Sequence, residues 1–298
     1  TPIVVPKDGA KDITIKVDTA AVTRYVGSKG ASGQGFIFSI TAGGDVTAKG
    51  AQSGGSASSV TVTGATLNAM SVYLSTPTVS INDQLGGSAI ASGTLATASS
   101  KDVYRFSVKA DSSGDVGLYG VSFLVTTSTA TATNFFLSDG SKNVANTTTP
   151  HRIVTDGDIN NAELFGMEFT SDGLAPSNTN VIPVVIPLGS SKTFTLKADL
   201  TCSISGTTNN CGGSSGSGSV QIQFLGDSSF PTTYPDSARI LTRDLDEAGF
   251  VWGDFSIVGP LQTSSSTASS AEQWTNGMRV ASASGQMPAT STAVTFSK

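Results

Sequence analysis

Asp156-Gly157-Asp158-Ile159-Asn160-Asn161, followed by Glu163, places side-chain oxygens at alternate positions, the donor spacing of calcium loops. A glycine at the second position and the lack of a Glu at the twelfth separate it from an EF-hand. A calcium ion held by Asp156, Asp158 and Asn160 is one reading. Asx-turns, in which each Asp oxygen accepts a nearby backbone N–H, are the other. Asp111 with Asp115, and Asp244 with Asp246 and Glu247, raise the same two readings. No other cofactor is indicated.

Cys202 and Cys211 are the only cysteines. Their spacing suits a disulfide that pins a hairpin loop in an oxidising compartment. Closing a loop of about ten residues is worth roughly 2.5–3 kcal/mol in the chain-entropy model. Two free thiols are the alternative, and C-x-x-C redox spacing is absent. Asn146-Thr147-Thr148 is a sequon for N-linked sugar, and the Ser/Thr tract at 263–270 could carry O-linked sugar. Trp252 and Trp274 admit either a carbohydrate-stacking role or burial in a core.

Hydrolytic chemistry finds little to work with. His151 is the single histidine, and no strand–turn–helix elbow presents a serine to it. Glycoside hydrolysis needs two carboxylates about 5–9.5 Å apart across a cleft. Glu163 and Glu168, five residues apart, point to opposite faces if they share a strand. The sequence therefore reads as a non-enzyme.

The elements around these residues are strands. Tyr104, Phe106 and Val108 alternate with polar residues in 102–110. So do Tyr119, Val121, Phe123 and Val125 in 117–126, and Phe194, Leu196 and Ala198 in 192–199. Phe36, Phe38 and Ile40, and Val220, Ile222 and Phe224, repeat the pattern, which marks half-buried strands. Asn160–Met167 is the best short helical candidate, with Asp158 or Asn160 as its cap. Strands at this spacing, divided by Ser/Gly/Asp turns, indicate a sandwich or barrel.

An internal repeat organises the chain. Residues 2–18, PIVVPKDGAKDITIKVD, align without gaps on residues 183–199, PVVIPLGSSKTFTLKAD. Pro2/Pro183, Val4/Val185, Pro6/Pro187, Lys11/Lys192, Thr14/Thr195, Lys16/Lys197 and Asp18/Asp199 are identical. The second copy follows a long run of strands and the first does not. The expected architecture is all-β: tandem immunoglobulin-like β-sandwiches, the first one incomplete. It comprises a partial sandwich at 1–76, a complete one at 77–245, and a terminal strand, Ser/Thr linker and C-terminal strand at 246–298. A half-sandwich exposes an apolar face and unpaired edges. The second domain, another subunit or an upstream segment would have to cover it. Thr292, Val294 and Phe296 alternate in a short terminal strand. The preceding linker 262–271 reaches about 30–36 Å when extended, so this strand is a candidate donor to a neighbouring subunit.

Charge narrows the partners. Seventeen Lys+Arg against 22 Asp+Glu, a net charge of −5, leave no phosphate-neutralising patch, so nucleic acid is not an expected partner. Charged residues are 13% of the chain, against about 25% in an ordinary soluble domain. No apolar run approaches the roughly 20 residues of a membrane span. Low charge, abundant Ser/Thr and a close cysteine pair point to an extracellular or cell-surface location. A first residue Thr1 is what a processed protein would show.

KDVYRFSVKADSSGDVGLYGVSFLV (101–125), NFFLSDGS (134–141), GFVWGDFSIVG (249–259) and EQWTNGMRV (272–280) resemble secreted β-sandwich repeat proteins of candidate-phyla bacteria of the Patescibacteria type. The resemblance implies a surface-layer or cell-surface filament role and no catalytic residues. A homopolymer of the chain itself is then the expected partner. The alternative is an adhesin-type module that recognises a glycan or a cell-surface receptor.

Overall fold

The computed structural model describes residues 3–18, 22, 34–36, 38–40, 46–56, 65–66, 70–82, 90–140, 143–146, 152–159, 162–169, 183–202, 218–227, 249–256, 275–278, 280–282, 285–286, 288 and 291–298. Among these residues are twenty strands and no α-helix. β1 (Gln34–Phe36), β2 (Ser39–Ile40), β3 (Ala65–Thr66) and β4 (Met70–Val72) form two antiparallel ribbons, β1 with β4 and β2 with β3. The single strand expected over 35–40 is thus two short ones with different partners.

The rest builds two larger sheets. In chain order they use β5 (Pro77–Ser80), β6 (Gly93–Thr94), β7 (Ala98–Ala110), β8 (Val116–Ser128), β9 (Ala130–Ser138) and β10 (Asn143–Asn146). Next come β11 (Arg152–Ile159), β12 (Ala162–Glu168), β13 (Val184–Ile186), β14 (Ser191–Cys202) and β15 (Ser219–Leu225). The last are β16 (Phe250–Gly253), β17 (Thr275–Asn276), β18 (Ala281–Ser282), β19 (Gly285–Gln286) and β20 (Val294–Ser297). One sheet runs β10-β9-β14-β7-β5-β18-β19. The other runs β11-β12-β8-β15-β20-β6, with β13 and β16 also on β8 and β17 on β16. Both are mixed, because β18 joins β5 and β20 joins β6 in parallel.

The alternating residues face each other between these sheets. Tyr104, Phe106 and Val108 on β7 and Phe123 and Phe224 on β8 and β15 have no exposed surface. The Phe106 and Phe224 rings lie 4.9 Å apart, and Tyr104 meets Phe123 edge-on at 5.9 Å, geometries that suit the ring quadrupole. β8 stays in phase through an irregularity. Val251 pairs with Gly120 but Trp252 with Leu118, leaving Tyr119 as an extra residue. Its carbonyl accepts the Phe169 N–H at 3.0 Å. The inserted residue lets Val116 and Leu118 share the core with Val121 and Phe123.

Two expectations need correction. Within the helix candidate at 160–167, residues 162–167 belong to strand β12, hydrogen-bonded between β11 and β8 with Leu164 opposite Leu124 and Phe165 opposite Phe123; residues 160 and 161 lie outside the described residues. A strand edge on each side outweighs a weak helical pattern interrupted by Gly166. Nor does residue 245 divide structural units. β16, β18 and β20 are strands of the two main sheets. The buried Asp227 carboxylate accepts the N–H groups of Gly249 (2.7 Å), Phe250 (3.2 Å) and Gly277 (2.6 Å). Buried Asp254 likewise accepts the Leu74 N–H at 2.8 Å. Each carboxylate thereby ties distant segments into one body.

Candidate assembly site

The two repeat segments begin with the same turn. In the second, the Ser190 N–H donates to the Pro187 carbonyl at 2.9 Å, and Gly189 has φ +66°. In the first, the Gly9 N–H donates to the Pro6 carbonyl at 3.1 Å, and Asp8, aligned with Gly189, has φ 60°. Asp tolerates the left-handed region better than most residues with a Cβ.

Beyond the turn the segments diverge. Val184–Ile186 pairs with β8, and Ser191–Cys202 lies between β7 and β9. Phe194, Leu196 and Ala198 are wholly buried. Ile13, Ile15 and Val17, their counterparts, are 64%, 61% and 54% exposed, and Ile3, Val4 and Val5 are exposed as well. Residues 3–18 form no strand.

Polar contacts hold β14 in place. Lys192 Nζ lies 3.5 Å from Asp139 Oδ2, and Lys197 Nζ lies 2.6 Å from Asp102 Oδ1. Arg105 Nε donates to Thr195 Oγ1 at 3.2 Å. Asp199 accepts the Ser100 N–H and Asn134 Nδ2, both at 2.7 Å. The Asn134 bond, then the Ser100 bond, hold the Asp199 carboxyl below its ordinary value. Turn residues 188–190 dock on 110–115: the Leu188 N–H donates to Asp115 Oδ1 at 2.9 Å, and the Ala110 N–H to the Ser190 carbonyl at 3.0 Å. Sequence reading found the repeat but not these partners, which come from strands up to 99 residues away.

The C-terminal strand lies in its own chain, not exposed as a donor. Ser219, Val220, Gln221 and Ile222 pair with Ser297, Phe296, Thr295 and Val294. Val294 and Phe296 are buried in the core, and Thr292 leads into the strand. Tyr104 Oη and Ser291 Oγ are 2.6 Å apart, and Ser291 Oγ accepts the Phe224 N–H at 2.9 Å. This buried hydroxyl pair and the free edge of β15 explain the capture: both unpaired edge and apolar slot are satisfied within the molecule.

Asp156 and Asp158 sit on β11, paired with β12 and irregular between Asp156 and Ile159, rather than in a loop. Asn160 lies outside the described residues, as do His151, Asp244, Asp246, Glu247 and Trp274. No cluster of three or more metal-ligating side chains occurs among the described residues. Asp111 adopts the Asx-turn, its Oδ1 accepting the Ser113 N–H at 2.8 Å. Bonds from the Ser113 side chain and backbone hold its carboxyl low. Asn146 ends β10, opposite Phe136. Glu163 and Glu168 share β12. Trp252 is buried against Tyr73, ring centroids 5.1 Å apart. Cys202 is disulfide-bonded, and Cys211, the other cysteine of the chain, lies outside the described residues. No helix among the described residues is long and apolar enough to cross a membrane.

No protein-family model matches this sequence, and neither does any curated protein. Among solved structures, one described as "AvmM Catalyzes Macrocyclization in Alchivemycin A Biosynthesis" is similar over 45% of this chain and 67% of its own, at 11% identity and a TM-score of 0.20, a likeness that carries no functional argument.

Proposed function

We propose that the chain is an extracellular structural protein, a subunit of a polymeric cell-surface filament or surface layer assembled by intersubunit strand pairing. In this reading it is built as tandem immunoglobulin-like sandwiches of the surface-repeat type that its motifs resemble, and it performs no catalysis. The observation that carries it is the exposed segment 3–18. Six aliphatic side chains, Ile3, Val4, Val5, Ile13, Ile15 and Val17, stand in solvent, and the last three alternate with the period of a strand. An unpaired segment of this composition seeks another strand. The Cys202 disulfide supports an oxidising location. Negative-stain microscopy of native material tests the reading. A helical or two-dimensional lattice is the expected result, and monodisperse monomers at high concentration would overturn it.

A further inference from the structure

Identity between the repeat segments is concentrated where β14 meets its neighbours. Four identical pairs lie in the strand proper: Lys11/Lys192, Thr14/Thr195, Lys16/Lys197 and Asp18/Asp199. In the second segment every one of the four contacts a flanking strand or the turn beyond it. Lys192 reaches Asp139, Thr195 accepts from Arg105, Lys197 pairs with Asp102, and Asp199 takes Ser100 and Asn134. The apolar positions between them vary in size: Ile13/Phe194, Ile15/Leu196, Val17/Ala198.

Asp199 is the most specific of the set. Its two acceptor bonds go to residues with φ 51° (Ser100 on β7) and 52° (Asn134 on β9). The register of β14 shifts beside Asp199 against both neighbours. One carboxylate thus holds two left-handed residues, one on each side of the strand. A segment exposed to water has no such task, yet Asp18 occupies the position in the first copy.

We propose that residues 3–18 are a docking strand whose partner is a second sandwich half with the chemistry of β7, β8 and β9. That partner offers an open position between two strands that run parallel to each other and antiparallel to the docking segment, as β7 and β9 do around β14. It presents carboxylates to Lys11 and Lys16, a guanidinium to Thr14, and a backbone N–H and a carboxamide to Asp18. Its inward aromatic and aliphatic row covers Ile13, Ile15 and Val17. A strand equivalent to Val116–Leu118 receives Ile3–Val5, as β8 receives Val184–Ile186. The position of this kind is filled by β14 in every copy of the chain, so the partner is a different sandwich that carries it open, and a polymer held by this strand includes that sandwich. The inference rests on the assembly reading for where that partner is met, and it names the docking strand as 3–18 rather than 292–298.

The slot in the chain itself serves as the probe. In the full-length protein, residues 191–199 are replaced by the sequence of 10–18 through Ser191→Ala, Thr193→Asp, Phe194→Ile, Leu196→Ile and Ala198→Val. A second version omits Ala198→Val, whose added methyl groups crowd a buried position. At least one version is expected to keep cooperative unfolding and the parental near-ultraviolet circular dichroism. Loss of both signatures in both versions overturns the proposal. Amine acylation provides the second measurement, with Lys11 and Lys16 reactive in the isolated chain and protected in polymer. Polymer in which both lysines stay reactive overturns the docking strand and leaves the assembly reading standing. Grafts that fold without any polymer forming support the strand's fit and remove the assembly reading.

Discussion

Residues 2–18 and 183–199 are one sequence pattern in two environments. The Pro-initiated turn forms in both, because its hydrogen bond and left-handed residue are local. The strand forms only in the second, where β7 and β9 supply edges on both sides. The pair separates what a sequence encodes by itself from what it encodes only with a partner. A turn belongs to the first kind and a strand to the second, since every ladder bond of a strand is made to another segment.

Substitutions matched across the two segments sharpen this contrast. The largest effect is expected from Phe296→Asp, which places an unpaired carboxylate in the core that β20 shares with β15. It should cost more than about 4 kcal/mol and unfold the two-sheet core. Ile15→Asp should stay within about 0.5 kcal/mol in the isolated chain. Urea titration reads both, and a stable, folded Phe296→Asp monomer would show that β20 does not complete its own sheet. Next is Phe194→Ala, at about 3–5 kcal/mol for a wholly buried ring. Its counterpart Ile13→Ala should be nearly silent. Equal effects at the two sites would dissolve the comparison.

The disulfide comes third. Cys202 aligns with Ala21, so only the second copy is cross-linked. Reduction should lower stability by roughly 2.5–3 kcal/mol. Thermal unfolding with and without reductant measures this, and alkylation of both cysteines without reductant would contradict the bond. The smallest effect concerns acid. The folded pKa of Asp199 lies below the ordinary 3.8. Its stabilisation is therefore complete above that value and is lost as pH falls through the lower, folded pKa. Asp199→Asn should lower the melting temperature near neutrality and flatten the loss as the pH falls below the ordinary 3.8. An unchanged acid limb would remove Asp199 from the account.

Much of the two-sheet fold was legible because its strands alternate. Tyr104, Phe106, Val108, Phe194, Leu196 and Phe224 all take the core positions that period two assigns them. What escaped depends on distant pairing. Tyr119 reads as an ordinary member of an alternating run, and only the partner strand β16 shows it to be inserted. Residues 160–167 look ambiguous alone, and 162–167 are strand because β8 and β11 flank them. The terminal Thr292, Val294 and Phe296 reveal a strand but not its owner. The Tyr104–Ser291 contact joins residues separated by 187 positions, which no local pattern announces. The repeat was legible as similarity. That its shared Lys, Thr and Asp residues are the ones gripping β7, β9 and the turn after β9 is visible only in three dimensions.

The position of β20 also sets a schedule. It lies between β15 and β6, and the Thr295 N–H donates to Ser92 Oγ across 203 residues of sequence. At about 5–20 residues per second, synthesis takes about 10–40 s to cover that interval. Throughout it the edge of β6 waits for a strand that has not yet been made, and once Leu225 has been added the edge of β15 waits as well. A long-range closure of this kind is slow, and the unclosed intermediate is the species most exposed to aggregation. The nascent chain would therefore gain most from a holding chaperone after β6 has been made and before residue 297 has emerged.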